Sequence, residues 1–72
     1  MLGERLRDAR TKAGLSQSEL ARKLGISQPV YSYIETGDKV PSLAVAKNLA
    51  IILGVSVDYL VGLDVKRKEE TN

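Results

Sequence analysis

The chain has 72 residues, which is enough for one small domain. It contains no Cys and no His, and this excludes a disulfide framework, a Cys-based zinc site and the commonest general base of enzymes. Its net charge of +2, from 11 basic and 9 acidic residues, indicates an anionic partner only weakly. Because the sequence shows no signal peptide and no apolar run of about 20 residues, we expect a soluble, cytoplasmic protein that does not enter a membrane.

The first predicted helix covers residues 2–13 and is ended by Gly14. Its apolar residues recur at intervals of four and three, the spacing of one buried helix face, and they are Leu2, Leu6, Ala9 and Ala13. Basic side chains crowd this helix and the next, as Arg5, Arg7, Arg10, Lys12, Arg22 and Lys23. A charged face of this kind is usually only a face in contact with solvent.

The second predicted helix begins at Gln17. Ser16 and Glu19 have the Ser-x-x-Glu spacing of a capping box, which marks a helix start. Three apolar residues then lie on one side of the helix, namely Leu20, Ala21 and Leu24. Gly25 follows at the place where a helix end favours a residue that tolerates positive φ.

A third predicted helix covers residues 28–36, with Ser27 as its N-cap and Gly37 at its end. Pro29 restricts the residue before it, so a start at Pro29, with Gln28 at the boundary, is the alternative. Two helices of about two turns each, joined by a tight glycine turn, are typical of a helix-turn-helix.

The two sides of the third helix differ in chemistry. Its inner side holds Val30, Tyr31, Ile34 and Glu35. Its outer side carries no charge and holds Gln28, Pro29, Ser32, Tyr33 and Thr36. A helix face that meets only solvent usually carries Lys or Glu, whereas an amide, hydroxyls and a phenol suit the edges of bases. The outer side therefore indicates contact with bases. The alternative is a polar face that has no binding function.

Two more helices complete the predicted fold. Ser42 caps the fourth helix, and Gly54 ends it. Its core face is predicted to consist of Leu43, Ala46, Leu49, Ala50 and Leu53. Ser56 caps a short fifth helix, from which Leu60 is expected to point inward. We therefore predict five helices around one core.

Several stretches of the sequence resemble the Cro and cI-type phage repressors and their bacterial relatives, the XRE family. The resemblance covers residues 2–63, and its carriers are LSQSELA from Leu15, LGISQ from Leu24, IETG from Ile34 and LGVSVDYL from Leu53. It implies an all-α, five-helix lambda-repressor-like DNA-binding domain with a helix-turn-helix. We expect this domain to occupy residues 1–64 and to be followed by a charged, flexible tail over residues 65–72.

The resemblance also implies roles for individual residues, with the third helix in the major groove of DNA. By position, the base-contacting residues would be Gln28, Pro29, Ser32 and Tyr33, and the amide of Gln28 suits adenine N6 and N7. The phosphate-contacting residues would be Arg10, Gln17, Ser18, Thr36 and Lys39, helped by loop N–H groups near Gly37 and by the N-terminus of the second helix. Arg10 and Glu35 match a family ion pair that joins the first helix to the third.

Apolar residues near the end of the domain exceed what its core needs, and they are Ile51, Ile52, Val57, Val61 and Leu63. A small domain exposes some apolar atoms in any case, but a surplus also suits self-association. The resemblance implies a homodimer formed through the end of the fourth helix and the fifth helix. We expect its contacts at Val57, Val61 and Leu63.

Two functional hypotheses remain at this point. The first is a sequence-specific DNA-binding transcriptional regulator, a repressor, which binds a two-fold operator in double-stranded DNA as a homodimer. The second is a protein-interaction module such as an antitoxin component. An enzyme is not expected, because the chain has no His, no Cys and no paired carboxylates in a cleft-like arrangement. We also expect no cofactor, no metal and no small-molecule ligand. The sequence shows no room for a ligand-sensing domain, so an inducer would need a separate protein, or a further C-terminal domain if the sequence is a piece of a longer regulator.

Overall fold

The structure, a computed structural model, describes residues 2–61. Over these residues the chain forms helices only, in the predicted order: α1 (Leu2–Lys12), α2 (Gln17–Leu24), α3 (Gln28–Thr36), α4 (Leu43–Leu53) and α5 (Val57–Val61). The all-α prediction is therefore confirmed. The expected domain boundary at residue 64, the dimer contact at Leu63 and the tail over residues 65–72 lie outside the described residues. None of the five helices has the length and apolarity that crossing a membrane requires.

Serine side chains fix where four of the five helices begin. At α2 the backbone N–H of Glu19 donates to Ser16 Oγ at 3.0 Å, and the backbone N–H of Ser16 donates to the Glu19 carboxylate at 2.8 Å. The predicted capping box is thus confirmed. Single serine caps start the other three helices, at Ser27, Ser42 and Ser56. Each such cap stabilises a helix by about 1 kcal/mol.

The turn between α2 and α3 needs a glycine. Gly25 has φ +77° and ψ +25°, and its N–H donates to carbonyls of the last turn of α2. An L side chain is disfavoured in this left-handed conformation, so Gly25 ends α2 and allows Ser27 to start α3 two residues later. Helix α3 begins at Gln28, with Pro29 in its first turn, and the alternative start at Pro29 is wrong.

The core lies where all five helices meet. Its largest fully buried side chains are Leu6, Leu20, Tyr31, Leu49 and Leu60, one from each helix. Helix α3 packs against α1 and α2, while α5 packs against α1 and α4. The recognition candidate α3 is therefore held from its inner side by two neighbouring helices.

Two residues of the predicted core stripes are exposed instead. Ala13 directly follows the last residue of α1 and is exposed. Leu43 is 71% exposed although its spacing to Ala46 and Ala50 is helical. It is the first residue of α4, and in the same turn it is Val45 and Ala46 that pack inward. Helical periodicity predicts which side of a helix faces the core, but it does not predict whether every residue on that side is buried.

Helix α1 approaches α3 so closely that only glycine fits at position 3. A Cβ atom placed on Gly3 would lie 2.0 Å from the carbonyl oxygen of Glu35 and 2.9 Å from its carbonyl carbon. Backbone atoms cannot move aside as a flexible side chain can. The start of α1 and the end of α3 are therefore in direct backbone contact.

We predict that Gly3→Ala destabilises the protein. In an open helix this change would stabilise by about 0.5–1 kcal/mol through helix propensity, but here overpacking should cost about 1–3 kcal/mol. Urea denaturation followed by circular dichroism measures the free energy of unfolding. Ala44→Gly at an exposed position of α4 is the matched control for propensity alone. A Gly3→Ala protein more stable than wild type would contradict the close approach.

Candidate nucleic-acid interface

The outer side of α3 is the face that the sequence predicted to contact bases. Gln28, Pro29, Tyr33 and Thr36 are exposed there, and Ser32 is half-buried. Tyr31 and Ile34, on the opposite side, are buried in the core. The structure thus brings the four predicted base readers to one surface, and no charged residue lies among them.

The amide of Gln28 does not move freely on this surface. Gln28 Nε2 donates to Gln17 Oε1 at 2.8 Å, which joins the first turn of α3 to the first turn of α2. Gln17 Nε2 in turn donates to Glu35 Oε1 at 3.0 Å. A chain of two hydrogen bonds therefore runs from the exposed amide of Gln28 to the carboxylate of Glu35.

Glu35 accepts hydrogen bonds from two further residues inside the domain. Arg10 Nε lies 2.5 Å from Glu35 Oε2, and Arg10 Nη2 lies 3.3 Å from Oε1. The hydroxyl of Tyr31, one turn earlier in α3, donates to Oε2 at 2.6 Å. The Arg10 side chain is 15% exposed and that of Glu35 only 5%. We call these five residues (Arg10, Gln17, Gln28, Tyr31 and Glu35) the Glu35 network.

The environment of the Glu35 network changes the proton affinities of its members. Burial by itself raises the pKa of Glu35, but the hydrogen bonds from Arg10, Tyr31 and Gln17 outweigh it, and the pKa lies below its ordinary value of 4.5. Burial raises the pKa of the Tyr31 hydroxyl, and the hydrogen bond to Glu35 raises it further. Near neutral pH Glu35 is therefore a carboxylate and Tyr31 remains a donor.

The N-terminus of α2 offers backbone donors beside Gln28. The first backbone hydrogen bond within this helix is donated by Leu20 N to Ser16 O, and Glu19 N is taken by the cap. The N–H groups of Gln17 and Ser18 precede these bonds, in the position that binds anions at helix N-termini. Ser18 is exposed, and the half-buried Gln17 turns its side chain toward Glu35.

The loop after α3 differs from the expectation. We expected N–H groups near Gly37 to be available for phosphate, but the structure contradicts this. The N–H of Gly37 donates to carbonyls of α3, and those of Asp38 and Lys39 both donate to Tyr33 O. The hydroxyl of Thr36 lies 3.0 Å from the Asp38 carboxylate. Among the candidates in this loop, the exposed ammonium group of Lys39 is the best placed for an anion.

Helix α5 is attached to α1 by a contact that the sequence did not predict. Arg5 Nη1 donates to Tyr59 O at 3.2 Å, and its guanidinium carbon lies 5.0 Å from the centre of the Tyr59 ring. A cation over an aromatic face is attracted by the ring electrons. These residues are 54 positions apart, and no local pattern links them. Arg5 is thus used inside the domain rather than only in contact with solvent.

The expected dimer contacts have different environments. Val57 is half-buried and packs against the core, so only part of its side chain is available. Val61 is 38% exposed, and Ile51 on α4 is 76% exposed. Of the two expected contacts within the described residues, Val61 presents the more open surface.

Comparison with known proteins identifies the family. Residues 6–60 match the Helix-turn-helix family, and the chain belongs to it. The chain is 44% identical over 61 residues to the SPbeta prophage-derived uncharacterized HTH-type transcriptional regulator YonR of Bacillus subtilis (strain 168), covering 85% of this chain and 56% of YonR. It is 42% identical over 72 residues to the HTH-type transcriptional regulator ImmR of the same organism, covering 99% of this chain and 57% of ImmR. The chain therefore spans a little more than half the length of these relatives.

Solved structures agree with this family. The crystal structure of SinR, a master regulator for biofilm formation, in complex with DNA superimposes with a TM-score of 0.78 at 35% identity, covering 85% of this chain and 98% of that chain. A complex of the SinR and SinI proteins superimposes with a TM-score of 0.77 at 34% identity, covering 100% of this chain and 67% of that chain. The predicted lambda-repressor-like fold is thereby confirmed.

We predict that Glu35→Ala lowers the free energy of unfolding by about 3–5 kcal/mol, because it leaves the guanidinium of Arg10 enclosed without its partner. Asp8→Ala is the matched control, since it removes an exposed ion pair with Lys12 and should cost at most about 1 kcal/mol. Thermal or urea denaturation of both variants measures the difference. Equal, small losses would mean that the Arg10–Glu35 pair adds no more than a surface pair.

Proposed function

We propose that this chain is a sequence-specific DNA-binding transcriptional regulator, a repressor that acts as a homodimer on a two-fold operator. The observation that carries the proposal is the uncharged outer face of α3, where the Gln28 amide is held in place by Gln17. A fixed amide next to hydroxyls suits the hydrogen-bonding edges of base pairs in the major groove. The similarity to SinR, which was solved in complex with DNA, supports DNA as the partner.

The proposed base contacts use the outer face of α3. Gln28 contacts adenine, and the ring of Pro29 has only an apolar surface to offer, which suits a thymine methyl group. The hydroxyl of Ser32, which is half-buried, approaches the bases less closely than Gln28. The exposed Tyr33 has the length to reach either a base or the neighbouring phosphate.

The proposed phosphate contacts flank that face. Gln17 and Ser18 supply N–H groups at the start of α2, and Lys39, with Thr36 beside it, supplies the contact after α3. Such contacts fix the register of a protein on DNA without reading its sequence. Arg10 directs three donor groups at Glu35 and Leu15 within the protein. We therefore propose a structural role for Arg10 in preference to phosphate contact.

The second hypothesis, a protein-interaction module such as an antitoxin component, rests on exposed apolar side chains. SinR has been solved with another protein, SinI, but protein binding gives no reason for an uncharged face of amide and hydroxyl groups. We favour DNA binding for that reason. We further propose that the protein has no catalytic activity and acts in the cytoplasm.

We predict that Gln28→Ala weakens binding to the preferred DNA site by about 1–3 kcal/mol and relaxes the preference at one base pair per half-site. The preferred site is first selected from a random DNA pool. Binding to random DNA should stay nearly unchanged, because it depends on phosphate contacts. Asn48→Ala, which truncates an exposed amide on α4, is the control and should leave the preference intact. An equal loss on both kinds of DNA would remove Gln28 as a base reader.

A second prediction concerns assembly. One domain presents one α3, and two-fold pairing would place two such helices about 34 Å apart, one turn of DNA. Val61→Asp should weaken dimerisation and operator affinity together, because it puts a charge into an apolar contact, while the monomer stays helical. Sedimentation and DNA binding measure both effects. Val40→Asp, at an exposed valine before α4, should dimerise normally. A wild type that remains monomeric on its operator would contradict this interface.

A further inference from the structure

The carboxylate of Glu35 determines the direction of the amide groups that lead to the surface. An ionised carboxylate only accepts hydrogen bonds. Gln17 must therefore turn its NH₂ group toward Glu35, where Nε2 and Oε1 are 3.0 Å apart. This leaves Gln17 Oε1 facing outward as an acceptor, and Gln28 must turn its own NH₂ group toward it, at 2.8 Å. The carboxylate of Glu35 therefore fixes the orientation of both amide groups.

This direction decides what Gln28 offers to a base. One N–H of Gln28 is used by Gln17, and the groups left for a base are its Oε1 acceptor and the second N–H. Adenine shows one donor and one acceptor in the major groove, N6–H and N7, whereas guanine shows two acceptors, O6 and N7. An amide that offers one acceptor and one donor fits adenine, and it meets guanine with an acceptor opposite an acceptor.

Two other members of the Glu35 network hold the carboxylate in this orientation. Arg10 Nε and the Tyr31 hydroxyl both bind Oε2, so that Oε1 is the oxygen that faces Gln17. Tyr31 is fully buried, and the Glu35 side chain is 5% exposed. Glu35 itself therefore has little surface for contact with DNA.

We infer that Glu35 is a positioning residue that sets the base preference of the protein, because it fixes the direction of the Gln28 amide through Gln17. The inference rests on the proposed role of Gln28 as a base reader. Its effect is on preference for adenine over guanine, which a purely structural role of Glu35 would not change.

The decisive variant is Glu35→Gln, which keeps the shape and replaces one oxygen by an NH₂ group. Arg10 and Tyr31 both need an acceptor, so the remaining oxygen of the substituted side chain takes the place of Oε2 and its NH₂ group faces Gln17. The amides of Gln17 and Gln28 then turn over, and Gln28 presents its NH₂ group to the base. We expect the adenine-over-guanine preference at the Gln28 base pair to fall by about tenfold or more, with random-DNA affinity nearly unchanged.

Tyr31→Phe is the matched control. It removes one of the two donors to Oε2 and should lower the melting temperature, but Arg10 Nε still binds Oε2, so the bond between Oε1 and Gln17 stays in place. Its adenine-over-guanine ratio should equal that of the wild type. A ratio that falls as much in Tyr31→Phe as in Glu35→Gln would overturn the inference, because loss of stability alone would then explain both.

A double-mutant cycle tests the path through Gln17. In a Gln17→Ala background the two ends of the chain of hydrogen bonds are disconnected, so adding Glu35→Gln should change the base ratio no further. A further change of the same size as in the wild-type background would overturn the path. If Glu35→Gln proves poorly folded, Gln17→Ala is measured alone: it should relax the preference, and an unchanged adenine-over-guanine ratio would overturn the path through Gln17.

A measurement without DNA separates this inference from the proposed function. The side-chain NH₂ resonances of Gln28 should shift in Glu35→Gln and stay in place in Tyr31→Phe, and an unshifted Gln28 in Glu35→Gln overturns the inference. A wild type without any base preference would overturn the proposed function and this inference together. A wild type that prefers adenine, with a Glu35→Gln variant that keeps the same ratio, would overturn the inference alone.

Discussion

A carboxylate that has been almost fully removed from water must be met by donors, or the charged form cannot persist there. Glu35 meets this requirement with groups from three helices, namely Arg10 of α1, Gln17 of α2 and Tyr31 of its own helix α3. In the observed arrangement of these helices, all three donors reach the carboxylate at once. The apolar core brings the helices together, and the hydrogen bonds to the Glu35 carboxylate constrain their relative orientation.

The same arrangement connects stability with recognition. The residues that satisfy Glu35 on the inner side of α3 include the one that orients the exposed amide of Gln28 on the outer side. Near the end of α3, the backbone of Glu35 is also in contact with Gly3, where no side chain fits. The helix proposed to enter the groove is therefore held at its start by an amide pair and at its end by backbone contact. Preorganisation of this kind reduces the conformational entropy that is lost when the protein binds its partner.

Much of the fold was predictable because its signals are local. A capping box such as that of Ser16 and Glu19 acts within four residues, and Gly25 and Gly37 end helices through their own backbone conformation. The exposed and buried sides of α3 follow from helical spacing alone. Leu43 shows the limit of this reasoning, since it has helical spacing to the buried Ala46 and Ala50 and is nevertheless 71% exposed.

The site was predictable only in part, because its contacts join distant positions. Arg10 and Glu35 were paired through a family resemblance, and nothing in their spacing would have paired them. Helical spacing places Tyr31 on the inner side of α3 but gives its hydroxyl no partner, and this O–H completes the set of donors around Glu35. The need for glycine at position 3 was not predicted, because it depends on a backbone atom of another helix, the carbonyl oxygen of Glu35, that lies where a Cβ would be.

The uncharged outer face of α3 has a consequence for how such a protein would search a genome. Attraction to the DNA backbone depends on ionic strength, because binding there releases condensed counterions. The residues proposed to contact bases carry no charge and displace no counterions from DNA. Their contribution to the binding free energy is therefore independent of salt concentration. Ionic strength would then set how long the protein stays on DNA of any sequence, and the ranking of one sequence over another would be the same in dilute and in concentrated electrolyte.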